Sequence, residues 1–286
     1  MPPRSNAPIP CGAPEPQKTS PLIALTRPAG GNQRLAALIL ARLPEARLID
    51  WPLLAFTPPS HPAATIAIIN QISLGDWLIF VSPRAVHFAH ALRPLNTLPA
   101  CHWAAVGAAT VAALRAVFPG VPPVLSPTTT QDSEGLLREL PLGAMLGHRV
   151  WIFRGDTGRE LLKDALNAQG THAEPVAVYQ RICAPNQAAT EILPALWVIS
   201  APSSLTCLRA LADEAPTAAL AHGLLHCHLV VINERTEHQA RALGFTGSIT
   251  RAHAPDDAAL AQAVIQTATQ AITYTANPTP AKVKPA

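Results

Sequence analysis

Charge is scarce in this chain. Of 286 residues, 14% are Asp, Glu, Lys or Arg, and the formal net charge is +3. That excess is too small and too dispersed to point to nucleic acid. Long apolar runs are also missing. No stretch of about 18 uninterrupted apolar residues occurs, so no membrane-spanning helix is expected. The first twenty residues, MPPRSNAPIPCGAPEPQKTS, hold no continuous apolar segment and do not read as a secretory signal. The five cysteines (Cys11, Cys101, Cys183, Cys207 and Cys227) are odd in number and have no paired spacing. A disulfide framework is therefore not expected, and a reducing cytoplasm fits.

Several catalytic signatures are absent as well. The turn RPAGG after the first strand lacks the GxGxxG spacing of a dinucleotide site. No GxxxxGK[ST] phosphate loop and no GxSxG nucleophile elbow occur. His222, His226, Cys227 and His228 lie close together, but there is no HExxH and no second cluster to complete a metal site. They read as a loop and strand start before LVVIN. The sequence thus offers no signature of a metal, a dinucleotide or a nucleotide phosphate.

What is present is apolar bulk, 49% of the chain, enough for two domain cores rather than one. Proline gathers at both ends, so residues 1–19 read as a disordered leader and 273–286 as a flexible tail. Between them, strand-like apolar runs alternate with amphipathic helical stretches. LIALT (22–26) precedes a helix over about 32–43; DWLIFVS (76–82) and HWAAVG (102–107) each lead into a helix; DSEGLLREL (132–140) is a helix capped by Asp132 or Ser133. Such alternation predicts an α/β fold of parallel sheets flanked by helices.

The chain also repeats itself. TRPAGGNQRLAALILARLPEARLIDWPLL and FRGDTGRELLKDALNAQGTHAEPVAVYQ share a strand, an Arg-containing turn, a helix and a strand. DWLIFVSPRAVHFAHAL pairs with LWVISAPSSLTCLRAL, and AAVGAATVAALRAVFPG with VVINERTEHQARALGFTG. Two similar halves follow, about 22–140 and 149–271. Proline-marked bends after the first unit of each half, at 51–59 and 178–185, allow an exchange that makes the middle segment an inserted domain. Two sequential domains remain the alternative.

Ligands of open parallel sheets bind beyond the carboxyl ends of the strands, so the strand-to-helix turns carry the chemistry. They hold Thr26 and Arg27; Ser82 and Arg84; Gly107 and Thr110; Arg154, Gly155 and Asp156; Ser200 and Ser203; and Thr236. Small, hydroxylic turns at helix starts favour anions. Ser82, Ser200 and Ser203 equally suit helix N-caps. Arg27, Arg84, Arg154 and Arg159 have the geometry to pair with carboxylates, either a ligand's or a neighbour's such as Asp156 or Glu160. Tyrosine occurs only at 179 and 274. Tyr179 lies where the chain would pass between domains, and its phenol could donate a proton or simply pack.

In order along residues 22–270, LTRPAG, LIFVSPRAV, AVGAAT, DSEGLL, FRGDTGRELL, VAVYQR, SAPSS and INERTEHQARALGF resemble the uroporphyrinogen-III synthase family. No one of these motifs is specific; their joint order and spacing carry the resemblance. It implies two similar α/β domains joined by a two-stranded connector, with a ligand cleft between them. One domain would comprise 20–52 and 182–272, the other 58–176, with connectors at 53–57 and 177–181. It implies a cytoplasmic, monomeric, cofactor-free lyase that cyclises hydroxymethylbilane to uroporphyrinogen III with ring D inverted. A transient contact with the preceding pathway enzyme would also follow. By the same resemblance Tyr179 helps the substrate hydroxyl leave. Arg27, Ser82, Arg84, Gly107, Thr110, Arg154, Gly155, Ser200, Ser203 and Thr236 line the substrate site. Two departures stand in the second half: Asn233-Glu234-Arg235 replaces a Gly-Pro-type turn, and Ala201 stands where serine is common. Glu234 would repel a polyanion unless Arg235 neutralises it. A non-catalytic binder of anions or tetrapyrroles, or a degenerate synthase, is the competing expectation.

Overall fold

The computed structural model describes residues 21–158, 160–185 and 193–276, with side chains as far as residue 270. The expected leader, Arg159 and residues 277–286 of the expected tail lie outside the described residues.

The chain opens with strand β1 (Leu22–Leu25), helix α1 (Gln33–Leu40) and strand β2 (Arg47–Asp50). Next come β3 (Leu54–Thr57), α2 (Pro62–Ile69), β4 (Trp77–Phe80), α3 (Pro83–Leu92) and a 3-10 turn at Leu95–Thr97. β5 (His102–Ala105), α4 (Ala108–Val117), β6 (Val124–Leu125), α5 (Ser133–Glu139) and α6 (Leu142–Met145) complete the first half. The second half begins with β7 (Arg149–Gly155), α7 (Leu161–Ala168) and β8 (His172–Cys183). It continues through β9 (Leu196–Ile199), α8 (Pro202–Asp213), α9 (Ala218–Leu225), β10 (His228–Val231), α10 (Glu234–Ala242), β11 (Ile249–Arg251) and α11 (Asp257–Ala276).

These elements form two compact units, dividing between Leu54 and Ala55 and again between Ile182 and Cys183. The unit containing both chain ends holds a five-stranded sheet ordered β11-β10-β9-β1-β2, parallel throughout. Alternation along each strand sends side chains to opposite faces. Ile23, Leu25, Leu196, Val198 and Val230 therefore meet α1 and α11, whereas Ala24, Trp197, Ile199, Leu229 and Val231 meet α8, α9 and α10. Both faces are apolar, which is why these strands read as continuous hydrophobic runs.

The other unit holds a six-stranded sheet ordered β3-β8-β7-β4-β5-β6. Leu78, Phe80, Trp103, Trp151 and Phe153 pack under α2, α3 and α4; Trp77, Ile79, Val150 and Ile152 pack under α5, α6 and α7. Asp76, 4% exposed, pins the start of this sheet. Its carboxylate accepts hydrogen bonds from the backbone amides of Ser73 (2.9 Å) and Arg149 (3.2 Å) and from Trp151 Nε1 (2.8 Å). A buried carboxylate with three donors is satisfied rather than stranded.

Three expectations are corrected. The chain break placed at 178–185 is absent through Cys183, because β8 continues as one twelve-residue strand with a single bulge at Val178. Its extended conformation is sustained by pairing with both β7 and β3, which outweighs the local proline signal. His222 lies within α9, not in a loop, and its ring stacks on that of His226 at 3.7 Å between centroids. Cys183 and Cys207 form a disulfide, their Cα atoms 5.2 Å apart although they are 24 residues apart in sequence. Spacing gave no sign of it, because folding alone brings the end of β8 against α8.

Candidate functional site

In the six-stranded sheet the strand order reverses between β7 and β4, since β8 continues on one side and β5 on the other. The carboxyl ends of strands at such a reversal leave a crevice. A cavity of about 320 Å³ opens there, lined by Val81 after β4, Val106 after β5, Arg154 and Gly155 at the end of β7, and Tyr179 on β8. Lys163 on α7 and Asp132, Ser133 and Glu134 at the start of α5 complete its polar wall.

Tyr179 owes its position to a slip in register. Arg154 pairs with Ala177 but Gly155 pairs with Tyr179, leaving Val178 as an extra residue. Such a bulge re-aims the side chain that follows it. Strict alternation would put Val178 and Tyr179 on opposite faces, yet both join the core beneath α3. The Tyr179 ring meets Phe56 edge-on at 5.7 Å and Phe88 at 5.5 Å. Against the Phe56 face lies the Arg84 guanidinium, its carbon 3.4 Å from the ring centroid, a cation–π contact.

Arg154 is 8% exposed, and a buried guanidinium needs a partner. Its Nη1 donates to Glu160 Oε1 at 2.8 Å, and Lys163 Nζ lies 3.6 Å from Glu160 Oε2. Gly158 has φ +154°, a conformation that favours glycine, and a Cβ there would stand 3.0 Å from Arg154 Nη2. The remaining turns of this unit are organised by caps. The Ser82 hydroxyl accepts from the Ala85 amide at 3.2 Å. Gly107 precedes α4 in extended conformation, leaving room for Gln131, whose Oε1 accepts from the Ala108 amide at 3.0 Å. Thr110, 3% exposed, lies in the first turn of α4.

The five-stranded unit has its own reversal, between β1 and β9. Thr26, 1% exposed, spans it, with Oγ1 donating to the Val198 carbonyl at 2.6 Å. Arg27 pairs with Asp257 at the start of α11, 2.6 Å away. Ser200 follows β9 and Ser203 lies in the first turn of α8, but the N-cap is Ala201, and no side chain caps that helix. Thr236 is fully buried, its hydroxyl donating to Asn233 Oδ1 at 2.8 Å. Glu234 turns to Arg251, 3.6 Å away, so the neutralising cation is one contributed by β11.

One cavity therefore gathers Arg154, Gly155 and Tyr179 from the residues expected on sequence, and adds Lys163. Ser82, Arg84, Gly107 and Thr110 occupy neighbouring turns of the same sheet. Arg27, Ser200, Ser203 and Thr236 occupy the corresponding turns of the other unit. Sequence reasoning missed Phe56, Gln131, Lys163 and Asp257. Only Lys163 carried a signal, one helical turn beyond Glu160; the other three are brought in by tertiary structure.

The chain is similar to known proteins over most of its length. The family model described as "Uroporphyrinogen-III synthase HemD" matches residues 34–262. The uroporphyrinogen-III synthase of Escherichia coli K12 is 30% identical over 250 residues, covering 83% of this chain and 98% of that protein. That of Salmonella typhimurium LT2 is 30% identical over 248 residues, with the same coverage. Among solved structures, a mutant uroporphyrinogen III synthase from Thermus thermophilus aligns over 87% of this chain and 99% of that one, at 17% identity and a TM-score of 0.47.

Proposed function

The chain belongs to the uroporphyrinogen-III synthase family, and from that premise we propose how its turns act on hydroxymethylbilane. The observation that carries the reading is the cavity at the β7/β4 reversal, which a phenol and two cations line together with Asp132 and Glu134. The substrate presents eight carboxylates and electron-rich pyrroles. Pyrrole nitrogen can expel the ring A hydroxyl once that hydroxyl is protonated, so the protein's tasks are proton delivery and positioning.

The sequence of bonds is as follows. Tyr179 protonates the departing hydroxyl, the methylene carbon–oxygen bond breaks, and water leaves an azafulvene. The substituted α-carbon of ring D attacks that methylene, forming a spiro intermediate. The intermediate fragments and recloses at the other α-carbon, inverting ring D, and loss of the α-proton restores the aromatic pyrrole and the proton count. What supports the tyrosine in this role is its lining of the cavity, together with the Phe56 and Phe88 rings that pack against its own. Arg154, Gly155, Ser82, Arg84, Gly107 and Thr110 in one unit, and Arg27, Ser200, Ser203 and Thr236 in the other, hold substrate carboxylates or the backbone turns that bind them. The chain acts as a cytoplasmic monomer, taking its labile substrate through a transient contact with the enzyme that makes it. Among the described residues no helix is long and apolar enough to cross a membrane.

The test is a coupled assay in which freshly generated hydroxymethylbilane is supplied, the products are oxidised, and the type I and type III uroporphyrin isomers are separated. Predominant type III is expected. Type I alone, the product of unassisted closure, would sink the proposal.

A further inference from the structure

Beside the cavity the Glu160 carboxylate bridges two cations that line it. Its Oε1 takes a hydrogen bond from the guanidinium of Arg154, and its Oε2 faces the ammonium of Lys163. The three side chains differ in freedom. That of Arg154 is 9% exposed and held in place, whereas those of Glu160 and Lys163 are 46% and 39% exposed. Glu160 is also the N-cap residue of α7, yet its side chain makes no cap hydrogen bond and turns to the cations instead. Arg154 and Lys163 both line the cavity, and Gly158 keeps the Nη2 side of the guanidinium clear of any β-carbon.

We propose that Arg154 and Lys163 form a carboxylate subsite and that Glu160 is its internal occupant, displaced by an acetate or propionate group of the substrate. This rests on the proposed function and adds a named subsite to it. The exchange is electrostatically conservative. A carboxylate replaces a carboxylate, so the buried guanidinium is never left unpaired, which is the costly outcome. Glu160, nearly half exposed, swings into water with little desolvation to reverse. The internal carboxylate competes with the substrate at high local concentration and so weakens binding. It also discriminates: a ligand with one carboxylate gains no more than Glu160 already provides, whereas a polycarboxylate anchored elsewhere can outcompete it.

The proposal makes Glu160→Gln a gain-of-affinity variant. Glutamine keeps the hydrogen-bond acceptor for Arg154 but removes the competing charge. KM for hydroxymethylbilane should fall about threefold, the size expected for loss of one partly exposed charge pair. Lys163→Gln, at a half-exposed position with little bearing on folding, should raise KM by a similar factor, the effect lying in KM rather than kcat. If Glu160 serves only to neutralise Arg154, Glu160→Gln will melt lower with KM unchanged or raised, and that result overturns the proposal. So does an unaltered KM in Lys163→Gln. Titration with tricarballylate, a small tricarboxylate, followed by calorimetry separates this question from turnover. Tighter binding to Glu160→Gln than to the parent supports the subsite even if no type III isomer forms, and equal binding overturns it.

Discussion

Gly155 lies directly against the ring of Tyr179: a β-carbon at residue 155 would stand 2.7 Å from Cε2 and 2.9 Å from Cζ of the tyrosine. The glycine on β7 and the bulge on β8 are thus two halves of one device. The bulge turns the tyrosine toward the end of β7, and the missing side chain makes room for it.

Gly155→Ala should therefore push the phenol out of place. Type III formation should fall by about tenfold or more, since displacements of about 1 Å at a reacting group cost that much or more. Tyr179→Phe should also reduce turnover, and the double variant should be no worse than the poorer single one. Undiminished turnover in Tyr179→Phe would remove the tyrosine from proton delivery. Additive losses would show that Gly155 acts through something other than Tyr179.

Asp76 should be a stability determinant remote from the reaction. Asp76→Ala strands the Trp151 indole N–H and two backbone amides at the start of the six-stranded sheet. A loss of about 3 kcal/mol in urea unfolding is expected, in the range for groups left unsatisfied. Asp76→Asn should lose less, because its amide oxygen still accepts. Equal losses in both variants would show that the charge, not the hydrogen bonding, matters.

The disulfide between Cys183 and Cys207 should be countable. Unreduced, denatured protein should titrate two fewer thiols than protein reduced beforehand. Closing a loop of this length in the unfolded chain is worth about 3 kcal/mol in the chain-entropy account. Reduced protein should therefore unfold at lower denaturant concentration. Identical thiol counts would mean that the two cysteines remain unbonded in the purified protein.

The buried thiols of Cys101 and Cys227 should be inert near neutrality. Burial pushes Cys101 up to about 11, with the nearby Asp76 charge adding to the rise, and burial pushes Cys227 up to about 12. In the unfolded chain both return to the ordinary value of 9.0. Their contribution to stability is thus complete below about pH 9 and declines as pH rises toward 11–12, where only the unfolded state ionises. Cys227→Ser, which keeps a donor to the Leu224 carbonyl, should flatten that alkaline slope. An unchanged slope would place the alkaline sensitivity elsewhere.

Much of the architecture was legible because its causes are local. LIAL, WLIF, LWVI and HLVV are apolar on both faces, which only a sheet covered on both sides requires. Asp132 before SEGLLRE and Ser82 before Pro83 announced helix starts that the structure confirms in hydrogen bonds. The internal repeat marked which turns correspond, and those turns do sit at the carboxyl ends of the strands. The arginines were harder. Arg27, Arg84 and Arg154 stood out as cations at strand-to-helix turns, and Glu160, six residues from Arg154, was a named candidate, but Asp257, 230 residues from Arg27, and Phe56 were not.

The sequence by itself determined the α/β class, the repeated strand–turn–helix units and the family, because periodicity, capping chemistry and motif order are all written in neighbouring residues. Tertiary structure alone decided the disulfide at Cys183 and the bulge that turns Tyr179 toward Gly155. Each of these depends on strand register and helix placement, where a shift of a single residue exchanges the faces of a strand and leaves the local pattern unchanged.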